Sequence, residues 1–216
     1  MEKLLSALQG AFPMRELALG ADARLRVKPM TFRLRQFAIP EVGNLSLMQG
    51  SAMLGLMRMQ TLILTPTKVD APLFSYDRIQ AMGNDTLLVE WYDTFVSRPD
   101  DALLTPLKAP LQRLATVPER DLGAHWYDSL KLSASCARRG RGCGDAYRAY
   151  LDDALRAYID LLRSSPAVDE VAKKRKTAEY VNGLFAHGGP STDAFVKALG
   201  REKAERLFDQ VIFAIA

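Results

Sequence analysis

Residues 64–79 read LTPTKVDAPLFSYDRI, and the segment LFSYDRI (73–79) carries one carboxylate, Asp77, in a run that otherwise has the pattern of a β-strand. Successive side chains of a strand point to opposite faces, so Asp77 shares a face with Leu73, Ser75 and Ile79. In the segment before it, LGLMRMQTLIL (54–64), Gln60 also stands in a largely apolar row. Two such polar groups need partners, which could be each other, water or a ligand. The pattern alone leaves open an ion pair of Asp77 with Arg58, a solvated strand edge, or an acid at the floor of a pocket.

The segments on both sides of LFSYDRI alternate in the same way and are separated by short turns. They are ARLRVK (23–28), TFRLRQF (31–37), LSLMQGSAM (45–53), LGLMRMQTLIL and TLLVEWY (86–92). Five or six strands in succession predict an antiparallel meander rather than β-α-β units. Helical spacing follows, most clearly in GDAYRAYLDDALRAYIDLLRSS (144–165), then over about 168–185 and on both sides of Gly200. The sequence therefore predicts an α/β fold, a three-layer α/β/α sandwich with a central antiparallel sheet, in a single domain over residues 1–216.

Composition and charge narrow the classes of partner. The net charge of +4 favours an acidic partner but is far from that of a nucleic-acid-binding tail, and we expect no nucleic-acid partner. Two cysteines, Cys136 and Cys143, flank ARRGRG, and we expect free thiols and a reducing, cytoplasmic compartment. The longest uncharged run, 42–57, is too short and too polar to span a bilayer, so we expect no membrane partner. We also expect a monomer. The chain has no dinucleotide-binding glycine motif, P-loop or HExxH sequence, so no bound cofactor and no metal site are predicted.

Three segments, in order and spacing, resemble the ferredoxin-dependent bilin reductases, a family that includes phycocyanobilin:ferredoxin oxidoreductase and shares its fold with the red chlorophyll catabolite reductases. TPTKVDAPLFSYDRI is similar to that family's P…LPLFGxDIV segment, and NDTLLVEWYDTF is similar to its next strand. The C-terminal FVKALGREKAERLFDQVIF resembles the closing pattern L…AFGxxWxxRYxxxVLF. The resemblance covers roughly residues 35–215. In the family the strand aspartate lies under the bilin, and Asp77 stands at its position.

The resemblance also implies the positions of the other site residues, and at several of them this sequence differs from the family pattern. Around the tetrapyrrole the family commonly has a carboxylate, a histidine and this aspartate, and the first two positions hold Met48, beside Gln49, and Gln60. A second family aspartate falls at Gly188–Gly189, where the adjacent His187 could take its place. Gln60 can only hydrogen-bond a pyrrole or lactam group, so acid–base work falls on Asp77 and ordered water.

Cations are expected for the two propionates and for the electron donor. Arg138, Arg139 and Arg141 stand where the family has a basic residue in the strand-to-helix loop, and arginine suits bidentate carboxylate pairing. The cluster KKRK (173–176) is expected to face solvent, where it would also attract an acidic ferredoxin.

The resemblance implies an oxidoreductase that reduces an open-chain tetrapyrrole, first of all biliverdin, with electrons from reduced ferredoxin and a proton from Asp77. An apolar strand row and a large π-system would raise the pKa of that carboxyl so that it can donate. Two related alternatives remain: a reductase of a chlorophyll catabolite, and a tetrapyrrole-binding protein without catalysis. A basic interaction module without any tetrapyrrole is the most distant one.

Overall fold

A computed structural model describes residues 1–97 and 101–216. Its strands are β1 (Arg15–Leu17), β2 (Arg24–Val27), β3 (Met30–Ile39), β4 (Gly43–Ala52), β5 (Met57–Pro66), β6 (Leu73–Ala81), β7 (Asn84–Tyr92) and β8 (Cys136–Gly140). They form one sheet in the order β1-β3-β4-β5-β6-β7-β8, and β2 pairs with the same edge of β3 as β1 does. Every pairing is antiparallel, as the alternating segments predict.

The helices are α1 (Glu2–Ala11), α2 (Asp101–Lys108), α3 (Gly144–Ser164), α4 (Glu170–His187), α5 (Pro190–Leu199) and α6 (Arg201–Leu207). A π-helical turn, Phe208–Ile212, continues α6. Pro190 begins α5, where its missing N–H costs no hydrogen bond, and Gly200 separates α5 from α6 with a φ of 82°.

The two faces of the sheet bury different apolar layers. Helices α1, α2 and α3 cover one face, where Leu45, Leu62, Phe74 and Trp91 of the sheet pack with Tyr147, Tyr150 and Tyr158 of α3. The other face is covered by α4, α5, α6 and the π-turn, where Met48, Ile63, Leu73 and Tyr92 pack with Tyr180, Val181 and Phe208. Successive strand residues point to opposite layers, and apolar and polar residues alternate where one face of the strand is exposed, as in β2. The predicted three-layer α/β/α sandwich is confirmed.

The basic glycine-rich segment around ARRGRG is not entirely a loop. Residues 136–140 form β8, which pairs with β7 through Val89↔Cys136 and Leu87↔Arg138. The prediction of a strand-to-helix loop is wrong for these residues, because they complete the hydrogen bonds of a β7 edge that would otherwise be open. Only Arg141–Cys143 remain as the connection to α3.

Lys173 does not face solvent, and that prediction is wrong for this member of the KKRK cluster. Its side chain is fully buried, and Nζ donates to the carbonyl oxygens of Ala71 and Thr94 at 2.6 Å each. The Asp70 carboxylate lies 3.3 Å away. Burial lowers the pKa of Lys173 to about 8, and the charge of Asp70 opposes this shift. The ammonium therefore ties α4 to the segments that enter β6 and leave β7, and holds that helix over the sheet.

Candidate functional site

A cavity of about 100 Å³ lies between the sheet and the C-terminal helices. The sheet contributes Met48, Met59, Thr61, Ser75, Asp77 and Glu90 to its lining. Opposite them stand Tyr180, Leu184, Thr192, Phe195, Phe208 and Phe213. One wall is thus a strand surface with two acids, and the other is apolar and aromatic.

Strand register brings the polar wall together. Met48 pairs with Thr61, and Thr61 pairs with Asp77, so these three side chains form one row across β4, β5 and β6. In the adjacent row Ser75 pairs with Glu90 on β7. Directly opposite residues of an antiparallel pair have Cβ atoms about 5 Å apart, which puts both acids on one small area of the sheet.

Asp77 can exist as a neutral acid near neutral pH. The Thr61 hydroxyl donates a hydrogen bond to its carboxylate. Burial raises the pKa of Asp77 to about 7; the hydrogen bond from Thr61 opposes this shift, and the negative charge of Glu90 adds to it. No cation pairs with Asp77 among the residues that the structure describes. A carboxyl with such a pKa is suited to donate a proton at the cavity wall.

Glu90, the second acid, has a different environment. It accepts a hydrogen bond from the Tyr92 hydroxyl at 2.8 Å and forms an ion pair with the Lys131 ammonium at 2.7 Å. Lys131 also contacts Asp128 at 2.9 Å, so the pair extends from the cavity wall to an exposed carboxylate. One cavity acid is therefore held beside a cation, while the other is not.

Sequence reasoning missed Glu90 and Thr61. The available signal was the alternation of TLLVEWY, which places Leu88, Glu90 and Tyr92 in one row just as LFSYDRI places Leu73, Ser75 and Asp77. Glu90 could have been flagged by the same argument that selected Asp77. Thr61, the hydrogen-bond partner of Asp77, could be identified only from the register between β5 and β6.

Met48 lines the cavity, but Gln49 and Gln60 do not. Gln60 pairs with Gln49 on one side and with Arg78 on the other, so all three side chains lie on the opposite face of the sheet, where Arg78 forms an ion pair with Asp85. The prediction that Gln60 lies beside Asp77 is wrong, because the register sets Thr61 opposite Asp77 and an offset of one residue changes the face. Arg58, two residues before Gln60, shares that opposite face and does not pair with Asp77.

The predicted propionate-binding arginines lie at the β8 edge of the sheet and outside the cavity lining. Arg138 is on the face away from the cavity, with its guanidinium 2.6 Å from Glu119. Arg139 pairs with Thr86, in the row that continues through Ile79 to Met59, and is therefore on the cavity face, with an exposed side chain. Arg141 is exposed in the turn that follows.

His187, at the end of α4, is exposed and lies outside the cavity lining. Its ring centroid is 5.4 Å from that of Trp126, whose indole Nε1 donates to the Gly188 carbonyl at 2.9 Å. The next residues, Gly189 to Thr192, do line the cavity. Of the predicted site residues, the structure thus brings Asp77 and Met48 together, and the roles assigned to all of them stay predictions.

Two further observations concern metal ligands and membrane spans. Within the described residues no group of three or more His, Cys, Asp or Glu side chains is arranged to hold a metal ion. None of the helices in that part of the chain is both long and apolar enough to cross a membrane.

Comparison with known proteins identifies the fold. No family model matches the chain, and no curated protein matches it in sequence. Among solved structures, phytochromobilin synthase from tomato, crystallised as the selenomethionine protein in complex with biliverdin, superposes with a TM-score of 0.78. The match covers 99% of this chain and 81% of the tomato chain, at 10% sequence identity. The chain therefore has the fold of a phytochromobilin synthase, and a shared fold does not by itself imply a shared function.

Proposed function

We propose that this protein binds an open-chain tetrapyrrole, first of all biliverdin, between the sheet and the C-terminal helices, and reduces it with electrons from ferredoxin. The observation that carries the proposal is Asp77, a cavity acid whose pKa burial raises to about 7, in the fold of a protein crystallised with biliverdin. Each two-electron reduction of a tetrapyrrole consumes two electrons and two protons. Ferredoxin supplies the electrons one at a time, Asp77 supplies one proton, and the other comes from water.

Glu90 has a complementary part in this scheme. Its carboxylate is paired with Lys131 through one oxygen and accepts from the Tyr92 hydroxyl through the other. Each oxygen has a further lone pair, which can accept a hydrogen bond from a pyrrole N–H group. Arg139, the one member of the predicted arginine set on the cavity face of the sheet, is the strongest candidate for a propionate contact.

The cavity has to enlarge to admit this substrate. Sites for drug-sized ligands usually enclose about 300–1,000 Å³, whereas this one encloses about 100 Å³. Helix α5 covers it through Thr192 and Phe195 and is bounded by Gly188 and Gly200, each with a φ of 82°. Glycine adopts such conformations without steric cost, so both ends of α5 can change direction. We infer that α5 moves away from the sheet when the tetrapyrrole binds.

The first experiment mixes the purified protein with biliverdin and records the absorption spectrum, then adds ferredoxin with a reducing system. Asp77→Asn keeps the shape of the side chain and removes the acid, so binding is expected to persist while turnover falls by about a hundred- to ten-thousandfold. Asp160→Asn is the matched control, since Asp160 is exposed on α3 and forms no ion pair with the described residues. Turnover of Asp77→Asn at the parent rate would remove Asp77 from the mechanism, and a parent protein without any spectral change would remove the function.

A tetrapyrrole-binding protein without catalysis is the second candidate. Both histidines of the chain, His125 and His187, lie outside the cavity lining, and Met48 stands where the bilin reductases have a carboxylate. Tight binding of biliverdin with no reduction by ferredoxin would favour this candidate, provided that a chlorophyll catabolite offered in the same assay is not reduced either.

A further inference from the structure

Two neighbouring hairpin turns expose large apolar side chains at one end of the sheet. The first joins β4 to β5 and the second joins β6 to β7, and the pair Met57↔Ala81 lies directly beside both turns. The exposed fractions are 56% for Met53, 107% for Leu54, 71% for Leu56 and 80% for Met82. We call these four residues the hairpin-tip surface.

The backbone shows that these residue types do not serve the turns. Met53, Leu54 and Met82 have φ values of 51°, 55° and 51°, in the left-handed region that favours Gly, Asn and Asp. A long apolar side chain at such a position strains the backbone and, being exposed, adds nothing to the core. Folding therefore does not explain why the turns hold Met and Leu, and contact with something outside the chain does.

Unpaired cations lie beside this apolar surface. Arg24 and Arg33 pair across β2 and β3 and line the same surface depression as Met53 and Leu54. Arg26 and Arg58 lie in the next row of the same sheet face, through Thr31 and Ser51. All four arginines are exposed, and none forms an ion pair with a residue in the described part of the chain.

The charge around the first turn is one-sided, while beside the second turn Asp85 is paired with Arg78. Residues 23–66 contain six arginines and lysines and one acid, Glu41. Glu41 stands in the turn between β3 and β4, at the other end of the sheet. The partner of this surface must therefore be apolar where the hairpins protrude and negatively charged around them.

We propose that the hairpin-tip surface docks this protein on an anionic lipid bilayer. The four apolar side chains would enter the boundary between headgroups and acyl chains, and Arg24, Arg26, Arg33 and Arg58 would contact lipid phosphates. Such peripheral docking needs no membrane-spanning helix. It also goes beyond the proposed reduction, on which it does not depend.

Two other occupants fit less well. A second copy of the chain, docked by the same surface, would set arginines against arginines, because a twofold interface brings identical patches together. A protein partner would need a pocket shaped to receive four separate protruding side chains, whereas a fluid bilayer accepts them without a matching shape. Charge and shape together therefore favour the lipid surface.

The test is co-sedimentation of the purified full chain with vesicles of phosphatidylcholine alone or mixed with phosphatidylserine. We expect binding to the mixed vesicles only, weakening several-fold as salt rises from about 0.05 to about 0.5 M. The variant Leu54→Asn/Met82→Asn replaces one residue in each turn, and its affinity for the mixed vesicles is expected to fall by about tenfold or more. Asparagine suits left-handed positions, so this variant is expected to stay folded, which circular dichroism checks.

Charge reversal in Arg24→Glu/Arg33→Glu is expected to abolish the preference for phosphatidylserine. Val171→Ser is the matched control, because Val171 is 76% exposed on α4, in the helical layer away from the tips. The proposal is overturned if the parent chain does not co-sediment with the mixed vesicles. It is also overturned if Val171→Ser loses as much binding as Leu54→Asn/Met82→Asn. The parent could instead dimerise or bind an acidic protein without binding vesicles. If the Leu54→Asn/Met82→Asn variant then lost that interaction, the surface would belong to the protein partner, and the lipid proposal would be overturned.

Discussion

Replacing Asp77 by asparagine is expected to stabilise the protein, by an amount that grows with pH. Burial raises the pKa of Asp77 from 3.8 in a free chain to about 7 in the folded protein. Between these values the folded state holds a proton that the unfolded state has released, so the free energy of unfolding falls as pH rises through this window. At about 1.36 kcal/mol for each pH unit, the full cost of ionising Asp77 reaches roughly 4 kcal/mol.

Asparagine has no charge to bury, and its carbonyl oxygen can still accept the hydrogen bond from Thr61. We therefore expect the stability difference between Asp77→Asn and the parent to grow in favour of the variant by roughly 4 kcal/mol between about pH 4 and about pH 8. Urea denaturation at a series of pH values measures it, with Asp160→Asn as the control that shows no such trend. A difference that does not change with pH would mean that Asp77 ionises like an exposed carboxylate, and the reasoning about the cavity acid would be refuted.

Thr61→Val tests the same site and is expected to change stability with pH in the direction opposite to Asp77→Asn. The Thr61 hydroxyl lowers the pKa of Asp77, so its removal is expected to raise that pKa further and to make the variant lose more stability at pH 8 than at pH 4. In the Asp77→Asn background the pH dependence of the Thr61→Val effect is expected to vanish. Its persistence there would assign the effect to another group.

Two further substitutions test how the cover of the cavity is held. Lys173→Met leaves a buried carboxylate without its cation and is expected to lower the free energy of unfolding by about 3–5 kcal/mol, measured by urea denaturation. Arg175→Met changes an exposed neighbour and is expected to alter the free energy of unfolding by less than about 0.5 kcal/mol. Equal effects of the two substitutions would contradict the burial of Lys173. Gly183→Ala would place a Cβ 2.1 Å from the Trp126 ring and is expected to displace the indole, changing its fluorescence and lowering the melting temperature. Its control is Gly10→Ala in α1, which meets nothing within 4 Å and is expected to stabilise by about 0.5–1 kcal/mol; a stable Gly183→Ala with unchanged fluorescence would refute the contact.

The strand pattern was readable from the sequence where a strand buries one face and exposes the other, as in β2 and the start of β3, because apolar and charged residues then alternate. β8 was not readable, because CARRG has no apolar alternation and its strand conformation depends on the edge of β7. The helical period of α4 did contain a sign that Lys173 is buried. It stands on the same stripe as Thr177, Tyr180 and Leu184, at intervals of three and four residues.

The candidate site was predictable within strands and not between them. Alternation placed Asp77 with Ser75 correctly, but the connection 67–72 between β5 and β6 is too long for a turn type to fix the register. Gln60 and Thr61 were therefore equivalent candidates for the position opposite Asp77. Only the paired strands distinguish them, and they select Thr61.

The separation of Asp77 and Arg78 onto two sides of the sheet restricts how this chain can change in length. Insertion or deletion of one residue within β6 would turn the Arg78 guanidinium toward the cavity and bring the Asp77 carboxylate toward Asp85. Both groups would then lose their counterparts in a single genetic event, whereas an amino-acid exchange alters one group at a time. Descendants of this protein can therefore gain or lose residues in their turns, while the number of residues in the middle of β6 stays constant.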